Sequence, residues 1–248
     1  MRIIISPAKK MNMDTEYPPF ASLPKFIDKA DRLADYMKQL SFDELKKILN
    51  CNDKIARLNY ERYQNISLRE NLSSAILTYD GIQYKYMAPQ VFEDKYFEYI
   101  QKNLRILSGF YGILKPLDGV VPYRLEMQSK LKTDFCKSLY DYWKDTLFNE
   151  LIDNENQILN LASEEYSKAI SKYLNPNIKF ISAIFGEILN GNIKEKGVYV
   201  KMARGEMVRY MAENQIEKID DIKNFDRLGF SFSQEHSTYD RYVFLMNK

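Results

Sequence analysis

The sequence has little of what several common kinds of active site require. Its 248 residues include one histidine, His236, and two cysteines, Cys51 and Cys136. One histidine excludes zinc sites built from several histidines and argues against a histidine-based catalytic triad. The cysteines lie far apart and form no Cys-x-x-Cys motif, so neither a zinc ribbon nor a thioredoxin-type redox pair is predicted. No cluster of carboxylates has metal-ligand spacing, so we expect no metal site and no cofactor.

Long apolar runs and an excess of charge are also missing. The N-terminus reaches Lys9 and Lys10 without an apolar stretch long enough for a signal peptide. The apolar segment 180–189 is interrupted by Gly186 and Glu187 and is too short to span a bilayer. We therefore expect a cytoplasmic protein with no membrane partner. The formal net charge of +2 argues against coating of nucleic acid by bulk charge, so any basic site must be local.

The composition is otherwise typical of a soluble globular protein, with 45% hydrophobic residues, and the sequence contains no linker or repeat. Short strands and scattered helices predict a mixed α/β (α+β) fold in a single domain over residues 1–248, with a helical lobe at about 24–65. The predicted strands are 2–5, 123–127, 158–162, 179–185, 198–202, 230–233 and 242–246. The predicted helices are near 24–39, 41–49, 93–103, 140–150 and 203–214. Two more are predicted to begin near Lys54 and after Ser163, which would cap a first turn that carries Glu164 and Glu165.

Residues 41–63 predict two short helices joined by a tight turn. The segment 41–44, Ser-Phe-Asp-Glu, is a capping box that begins the first helix, and the second begins near Lys54. This pattern is similar to a helix-hairpin-helix, in which backbone N–H groups at the turn contact a DNA phosphate. Asn50 and Asn52 stand where that motif has glycines, and asparagine tolerates positive φ. The candidate DNA-binding residues are Asn50, Asn52, Lys54, Arg57 and Arg62. The residues alone favour the alternative of an ordinary helix pair with solvated charges.

Two further segments offer groups that could bind an anion. Ser6 and Lys9 follow the first predicted strand, an arrangement that suits an anion but also arises by chance. The segment lacks the glycine-rich run of a P-loop, so it gives poor support to nucleoside triphosphate binding. Lys201 and Arg204 lie where a basic strand end runs into a helix, and the helix N-terminus would favour the same anion.

Three other charged residues complete the candidates. On a strand, Arg124 and Glu126 point to the same face, so they form either a structural ion pair or an arginine held ready for a phosphate. The ion pair is the better interpretation from the residues, and a free Glu126 would be an acid or base. Arg209 can pair with Glu213 four residues later, which is an ordinary surface arrangement.

Taken together, several segments resemble the YaaA family of bacterial peroxide-stress proteins, in the same order over nearly the whole chain. The most specific are Leu107 to Gly112 and Pro122 to Met127. The others are Ser6 to Lys9, Leu104 to Ile106, Pro116 to Asp118, Asn160 to Tyr166 and Ala203 to Gly205.

The resemblance implies a protein that helps bacteria survive hydrogen peroxide by limiting unincorporated iron and damage to DNA and proteins. It implies a mixed α/β fold with a positively charged cleft and a helix-hairpin-helix, and binding to double-stranded DNA, with no established reaction. Carried onto this sequence, the hairpin falls on Asn50 to Ala56. The cleft falls on Ser6, Lys9, Arg124, Lys201, Arg204 and Arg209. The segment 243–248 is nearly uncharged where family members often end on basic residues, so we expect no DNA contact there.

Two hypotheses follow. The first is a DNA-binding protein of the oxidative stress response, which binds duplex DNA without sequence preference through the hairpin and the cleft. The alternative is an enzyme that acts on a nucleotide or damaged nucleic acid, with Glu126 or a lysine as base or nucleophile. Direct iron binding would need clustered carboxylates, so we expect that iron is limited indirectly. The oligomeric state stays open, with a monomer favoured.

Overall fold

A central β-sheet and a set of helices make up the protein. The computed structural model describes residues 1–13, 18–152 and 156–247. The strands are β1 (Arg2–Ile5), β2 (Lys10–Met11), β3 (Ser73–Ser74), β4 (Tyr79–Asp80), β5 (Leu104–Ser108), β6 (Gly112–Leu114), β7 (Gly119–Val120), β8 (Gln157–Leu161), β9 (Lys179–Leu189), β10 (Asn192–Lys194), β11 (Phe230–Phe232) and β12 (Arg241–Met246). The helices are α1 (Ile27–Gln39), α2 (Phe42–Leu49), α3 (Asp53–Gln64), α4 (Ala75–Thr78), α5 (Ile82–Met87), α6 (Asp94–Asn103), α7 (Leu139–Trp143), α8 (Thr146–Leu151), α9 (Glu164–Ser171) and α10 (Gly197–Glu213), with 3₁₀ turns at Pro89–Val91 and Ile219–Asn224.

The central sheet has the strand order β11-β12-β9-β8-β1-β5-β6, and β10 pairs with β9. The strands β12, β9, β8, β1 and β5 run parallel, while β6 and β11 are antiparallel edges. From β1 the chain adds β5 on one side and later β8 on the other, so strand addition reverses between β1 and β8. In open α/β sheets, ligands bind outside the carboxyl ends of the strands at such a switch point.

The centre of the sheet lies at β1, whose Ile3, Ile4 and Ile5 are completely buried between β5 and β8. A parallel strand in the middle of a sheet is covered on both faces, so it reads as a continuous apolar run. The mixed α/β class predicted from the sequence is confirmed. The predicted strands at 2–5, 158–162, 179–185, 230–233 and 242–246 are confirmed as β1, β8, β9, β11 and β12.

The helix pair predicted at 41–63 is present as α2 and α3. The side chain of Ser41 accepts a hydrogen bond from the backbone N–H of Glu44, and the Glu44 carboxylate accepts one from the Ser41 N–H at 2.8 Å. This is the predicted capping box, which satisfies two free donors of the helix. The helices α1 to α3 fall within 24–65, and their grouping as a separate lobe stays a prediction.

The predicted strand at 198–202 is wrong, because α10 already begins at Gly197. The β-branched residues Val198 and Val200 favour a strand locally. Yet Val200, Ala203, Met207 and Met211 are buried at helical spacing, and this apolar face packs against α5. Tertiary packing therefore overrides the local preference.

The predicted strand at Tyr123–Met127 is also wrong, since the described residues give this segment no strand partner. Its backbone groups bond to side chains instead: the Tyr63 hydroxyl donates to the carbonyl oxygen of Arg124 at 3.0 Å. A Cβ on Gly109 would overlap with the carbonyl oxygen of Leu125, so a glycine at 109 is what lets the β5–β6 turn lie against the segment. The odd-numbered and the even-numbered side chains of the segment are both largely buried. The segment therefore lacks the solvent-exposed face of a half-buried strand.

None of the helices in the described ranges is long and apolar enough to cross a membrane.

Candidate functional site

A cavity of about 440 Å³ opens at the carboxyl ends of β1 and β8, where strand addition reverses. Its walls come from residues 6–10, 80–84 and 123–126, from Ser163, Glu165 and Tyr166, and from Lys201 and Arg204. We call this the edge cavity. Six of the seven residues predicted from the sequence for an anion site line it, although they come from three separate segments: Ser6, Lys9, Arg124, Glu126, Lys201 and Arg204.

The floor of the edge cavity is fixed by a contact between the two strand ends. The hydroxyl oxygen of Ser6 accepts a hydrogen bond from the backbone N–H of Ser163 at 2.9 Å, and the two hydroxyls lie 3.2 Å apart. The Tyr84 hydroxyl donates to the carbonyl oxygen of Ser6 at 3.0 Å. Ser163 occupies the N-cap position of α9, but its side chain makes no capping hydrogen bond. These serines therefore hold β1 and the start of α9 together.

One wall carries a carboxylate between two cations. Glu126 Oε1 lies 3.0 Å from Lys9 Nζ and 2.9 Å from Arg124 Nη2. The Arg124–Glu126 ion pair is thus the one expected from the sequence, although the segment is not a strand. The second carboxylate oxygen, Glu126 Oε2, is buried and has no hydrogen-bond partner among the described residues, and the same holds for Arg124 Nε. The carboxylate therefore offsets only part of the positive charge of this wall, and the wall is incompletely hydrogen-bonded.

The opposite wall is basic and lies on α10. Lys201 and Arg204 are three residues apart, so they lie on the same face of this helix. Within the described residues neither forms an ion pair, and Arg204 Nε is buried without a partner. Burial lowers the pKa of the Arg204 guanidinium, with an opposing effect from the charge of Glu195. The α10 cations therefore face the cavity without a neutralising carboxylate.

Two sequence expectations about α10 need correction. Because the helix begins at Gly197, Arg204 lies two turns inside it and not beside a helix N-terminus. Arg209 does not line the edge cavity: its Nε donates to Glu213 at 2.8 Å, the surface pairing that the sequence also allowed. The helical repeat puts residues 201 and 204 on the cavity side and turns residue 209 toward its own i+4 partner.

The lining residues that were not predicted from the sequence include Asp80, Gln83 and Glu165. Burial raises the pKa of the Glu165 carboxyl, which lies in the first turn of α9. The side-chain nitrogen of Gln83 is buried without a partner. Asp80 lies close to both Lys10 and Lys85, and these contacts lower its pKa. Nothing in the local sequence pattern marks Gln83 as a lining residue.

The turn of the helix pair differs in part from the expected hairpin. Asn50 has φ of 45° in the left-handed region, as predicted, and ends α2. Asn52, in contrast, has φ of −72°, and its side chain accepts the backbone N–H of Ile55 at 3.0 Å. The expectation that Asn52 adopts positive φ is therefore wrong, because it caps α3 instead. This cap and the carboxylate of Asp53 occupy the helix N-terminus that a phosphate would use.

The cationic side chains of the helix pair remain available. Lys54 and Arg57 are exposed and form no ion pair in the described part of the chain, and the guanidinium of Arg57 lies over the ring of Phe42. Arg62 is half-buried, and burial lowers its pKa.

The turn of the helix pair lies beside the edge cavity. Burial raises the pKa of the Cys51 thiol, and the charges of Arg124 and Glu126 act on it as well. The hydrogen bond from Tyr63 in α3 to the carbonyl of Arg124 joins the same two regions. The helix pair is therefore a neighbour of the cavity wall that carries Arg124 and Glu126.

No group of three or more His, Cys, Asp or Glu side chains that could hold a metal ion occurs within residues 1–13, 18–152 and 156–247.

Comparison with known proteins gives matches over the full length. The sequence model of the family described as "peroxide stress protein YaaA" matches residues 1–236. A UPF0246 protein of Desulfitobacterium hafniense is 60% identical over 245 residues, which cover 99% of this chain and 98% of the relative. UPF0246 proteins of Agathobacter rectalis and Pediococcus pentosaceus are 53% and 46% identical, with at least 98% of each chain covered.

Proposed function

This chain belongs to the YaaA family of peroxide stress proteins, and from that premise we propose that it binds double-stranded DNA during the stress response. In the proposal, the helix pair α2–α3 contacts the phosphate backbone, and the edge cavity faces the same duplex. Recognition is independent of sequence, because the contacts are to phosphates and not to base edges.

The observation that supports this most directly is the placement of Lys54 and Arg57. Both are exposed and free of ion pairs in the described part of the chain, they lie three residues apart at the start of α3, and the turn before them adjoins the edge cavity. Since Asn52 and Asp53 already occupy the N-terminus of α3, the proposed phosphate contacts are made by these side chains rather than by backbone N–H groups.

The test is a duplex-binding measurement by fluorescence anisotropy over a range of salt concentrations. We expect the Lys54→Ala/Arg57→Ala double variant to bind more weakly and to have a log–log salt slope shallower by about 2, one for each lost phosphate contact. The matched control is Lys172→Ala/Lys218→Ala, which removes two exposed lysines outside the helix pair and the cavity. A folded double variant with the parent's affinity and salt slope would refute the proposed role of the helix pair.

The proposal extends to iron-dependent damage. A protein that covers the duplex keeps oxidants formed from ferrous iron and hydrogen peroxide away from the strands beneath it. We expect the protein to reduce plasmid nicking by ferrous iron and peroxide, and the Lys54→Ala/Arg57→Ala variant to protect less. Equal protection by both proteins would show that protection does not depend on DNA binding through Lys54 and Arg57.

A second candidate function, an enzyme acting on a nucleotide or damaged nucleic acid, is favoured by the carboxyl groups of the edge cavity. Glu126 is ion-paired with Lys9 and Arg124, an arrangement that suits a carboxylate base, whereas burial raises the pKa of Glu165, which suits an acid. Two carboxyl groups in different environments can divide general acid and base roles.

The second candidate is tested by incubating the protein with nucleotides and with duplexes that carry oxidised bases, followed by chromatography of the products. We expect a product from the parent, and a rate lower by about 100-fold or more in Glu126→Gln. Absence of any product from the parent, or full activity in the variant, would exclude this chemistry.

A further inference from the structure

Unpartnered buried polar atoms are concentrated at the edge cavity. Of the seven such side-chain atoms in the described residues, four belong to cavity-lining residues: Gln83 Nε2, Arg124 Nε, Glu126 Oε2 and Arg204 Nε. A more open depression of about 720 Å³ elsewhere on the surface, beside Lys179 and Arg241, has none of them. Buried polar atoms in folded proteins nearly always have partners, so a cluster that lacks them points to groups supplied by a ligand.

The charges of the cavity indicate the sign of that ligand. Lys9 and Arg124 share the carboxylate of Glu126, and Lys10 forms an ion pair with Asp80. Lys201 and Arg204 have no such partner in the described part of the chain. Two uncompensated cations on one helix face, one of them mostly buried, suit a doubly charged or bridging phosphate, which accepts several charge-assisted hydrogen bonds.

The remaining unpartnered atoms indicate what is attached to the phosphate. Gln83 offers a buried N–H donor and Glu126 a buried acceptor oxygen. A donor and an acceptor that line the same cavity complement a flat polar ring that carries both kinds of group, as the edge of a nucleobase does. A cavity of about 440 Å³ lies within the range of small-molecule sites and has room for one nucleotide.

We propose that the edge cavity binds a single nucleotide unit, with its phosphate on Lys201 and Arg204 and its base edge on Gln83 and Glu126. The inference rests on the second candidate function only for its location, and it requires no reaction. It also places the ligand at the switch point between β1 and β8, the usual position of ligands in open α/β sheets.

The proposal has a consequence for the empty protein. A mostly buried guanidinium without a carboxylate partner destabilises the fold, because its desolvation is not offset by a hydrogen-bonded ion pair. If Arg204 is present for a ligand, its replacement by an uncharged residue of similar shape stabilises the ligand-free protein while it weakens binding. A structural arginine would behave in the opposite way.

The first measurement is calorimetric titration with the four deoxynucleoside monophosphates, their nucleosides and inorganic phosphate. We expect at least one monophosphate to bind about tenfold or more tightly than its nucleoside and than phosphate. Arg204→Gln is expected to weaken that binding about tenfold or more, since it removes a charge-assisted contact. The matched control is Arg209→Gln on the same helix, whose side chain pairs with Glu213 away from the cavity, with affinity kept within about twofold.

The second measurement is urea unfolding of the ligand-free proteins. We expect Arg204→Gln to raise the midpoint above that of the parent and Arg209→Gln to leave it unchanged or lower. A lower midpoint for Arg204→Gln, or failure of this variant to fold, overturns the proposal because the arginine would then be a structural residue.

The nucleotide could be free or could belong to a strand, and a third measurement separates these sources. A duplex with one extrahelical nucleotide is compared with the fully paired duplex, each with the parent and with Arg204→Gln. If Arg204→Gln weakens binding of the free monophosphates, the ligand is a free nucleotide. If it weakens binding only of the duplex with the extrahelical nucleotide, the ligand is a nucleotide within a strand. Absence of Arg204 dependence with every one of these probes overturns the proposal.

Failure of this inference can be told apart from failure of duplex binding by the helix pair. The Lys54→Ala/Arg57→Ala variant leaves the cavity intact, so it is expected to keep the parent's affinity for the nucleotide probe while it loses affinity for paired duplex. Loss of nucleotide affinity in this variant as well would contradict a separate site in the cavity.

Discussion

A Cβ on Gly205 of α10 would overlap with the carbonyl oxygen of Gln83 in α5, so the two helices touch backbone to backbone at this point. The same Cβ would stand 2.9 Å from the backbone nitrogen of Met87. Only a glycine permits this approach. It brings Gln83 and Arg204, two donors that line the edge cavity, onto adjoining helices.

We predict that Gly205→Ala destabilises the protein by about 1–3 kcal/mol, because the added methyl group must push α5 and α10 apart. The control is Gly197→Ala at the start of the same helix, where the new methyl group meets nothing within 4 Å. This control should be neutral or stabilising by up to about 1 kcal/mol through helix propensity. Urea unfolding followed by circular dichroism compares the two, and similar midpoints would contradict the close helix contact.

The turn between α2 and α3 gives a backbone prediction. Asn50 holds φ of 45° at the end of α2, a conformation that asparagine and glycine tolerate and alanine does not. Asn50→Ala is expected to cost about 1–2 kcal/mol of unfolding free energy, whereas Asn50→Gly should be neutral or slightly stabilising. Equal unfolding midpoints for the two variants would show that the left-handed conformation does not constrain the turn.

The carboxyl of Glu165 predicts a dependence of stability on pH. Burial raises its pKa in the folded protein, so folding favours the neutral form. The stability contributed by this group is present below the unfolded pKa of about 4.3 and is lost as the pH rises through the folded pKa. Glu165→Gln stays neutral, and its Oε1 can still accept the backbone N–H of Gln128.

We therefore expect Glu165→Gln to gain unfolding free energy over the parent as the pH rises from 4 to 7, and to show little gain at pH 4. Urea unfolding at several pH values measures the difference. Glu164→Gln removes an exposed carboxylate from the same turn and controls for the loss of charge at the N-terminus of α9. A constant difference between Glu165→Gln and the parent at all pH values would refute the assignment.

Trp143 gives a prediction for the packing beneath the β5–β6 turn. It is completely buried, and its ring N–H donates to the carbonyl oxygen of Gly109 at 2.9 Å. Trp143→Phe leaves that buried carbonyl without a donor, which alone costs about 1–3 kcal/mol. Tyr239→Phe alters a highly exposed ring and should leave the unfolding free energy unchanged. Circular dichroism during urea unfolding measures both, and an unchanged Trp143→Phe would contradict the hydrogen bond.

Much of the local structure could be read from the sequence. The capping box at Ser41 and Glu44 is a contact between residues three apart, so its signal is contained in four letters. The run Ile3 to Ile5 is continuously apolar because β1 is covered on both faces. The errors at 198–202 and 123–127 arose where long-range packing at Gly205 and Gly109 outweighed local preference.

The candidate site was likewise predicted from the sequence only in part. Sequence patterns selected Ser6, Lys9, Arg124, Lys201 and Arg204 one segment at a time, each with an ordinary structural alternative. They gave no sign of Gln83, because a glutamine inside a short helix carries no distinguishing pattern. They offered the Glu213 pairing as an alternative for Arg209, but its place relative to the cavity depends on where α10 begins and which face it turns to the cavity.

The sequence by itself determined the class of fold, the helix pair with its cap and the chemical types available for an anion site. These depend on short-range hydrogen bonds and on periodic burial, which few residues encode. Only the tertiary structure decided that Lys9 and Glu126 form an ion pair, that Arg204 stays without one, and that both walls enclose one cavity at the switch point. That outcome follows from the strand order, a property of the whole chain that no single segment contains.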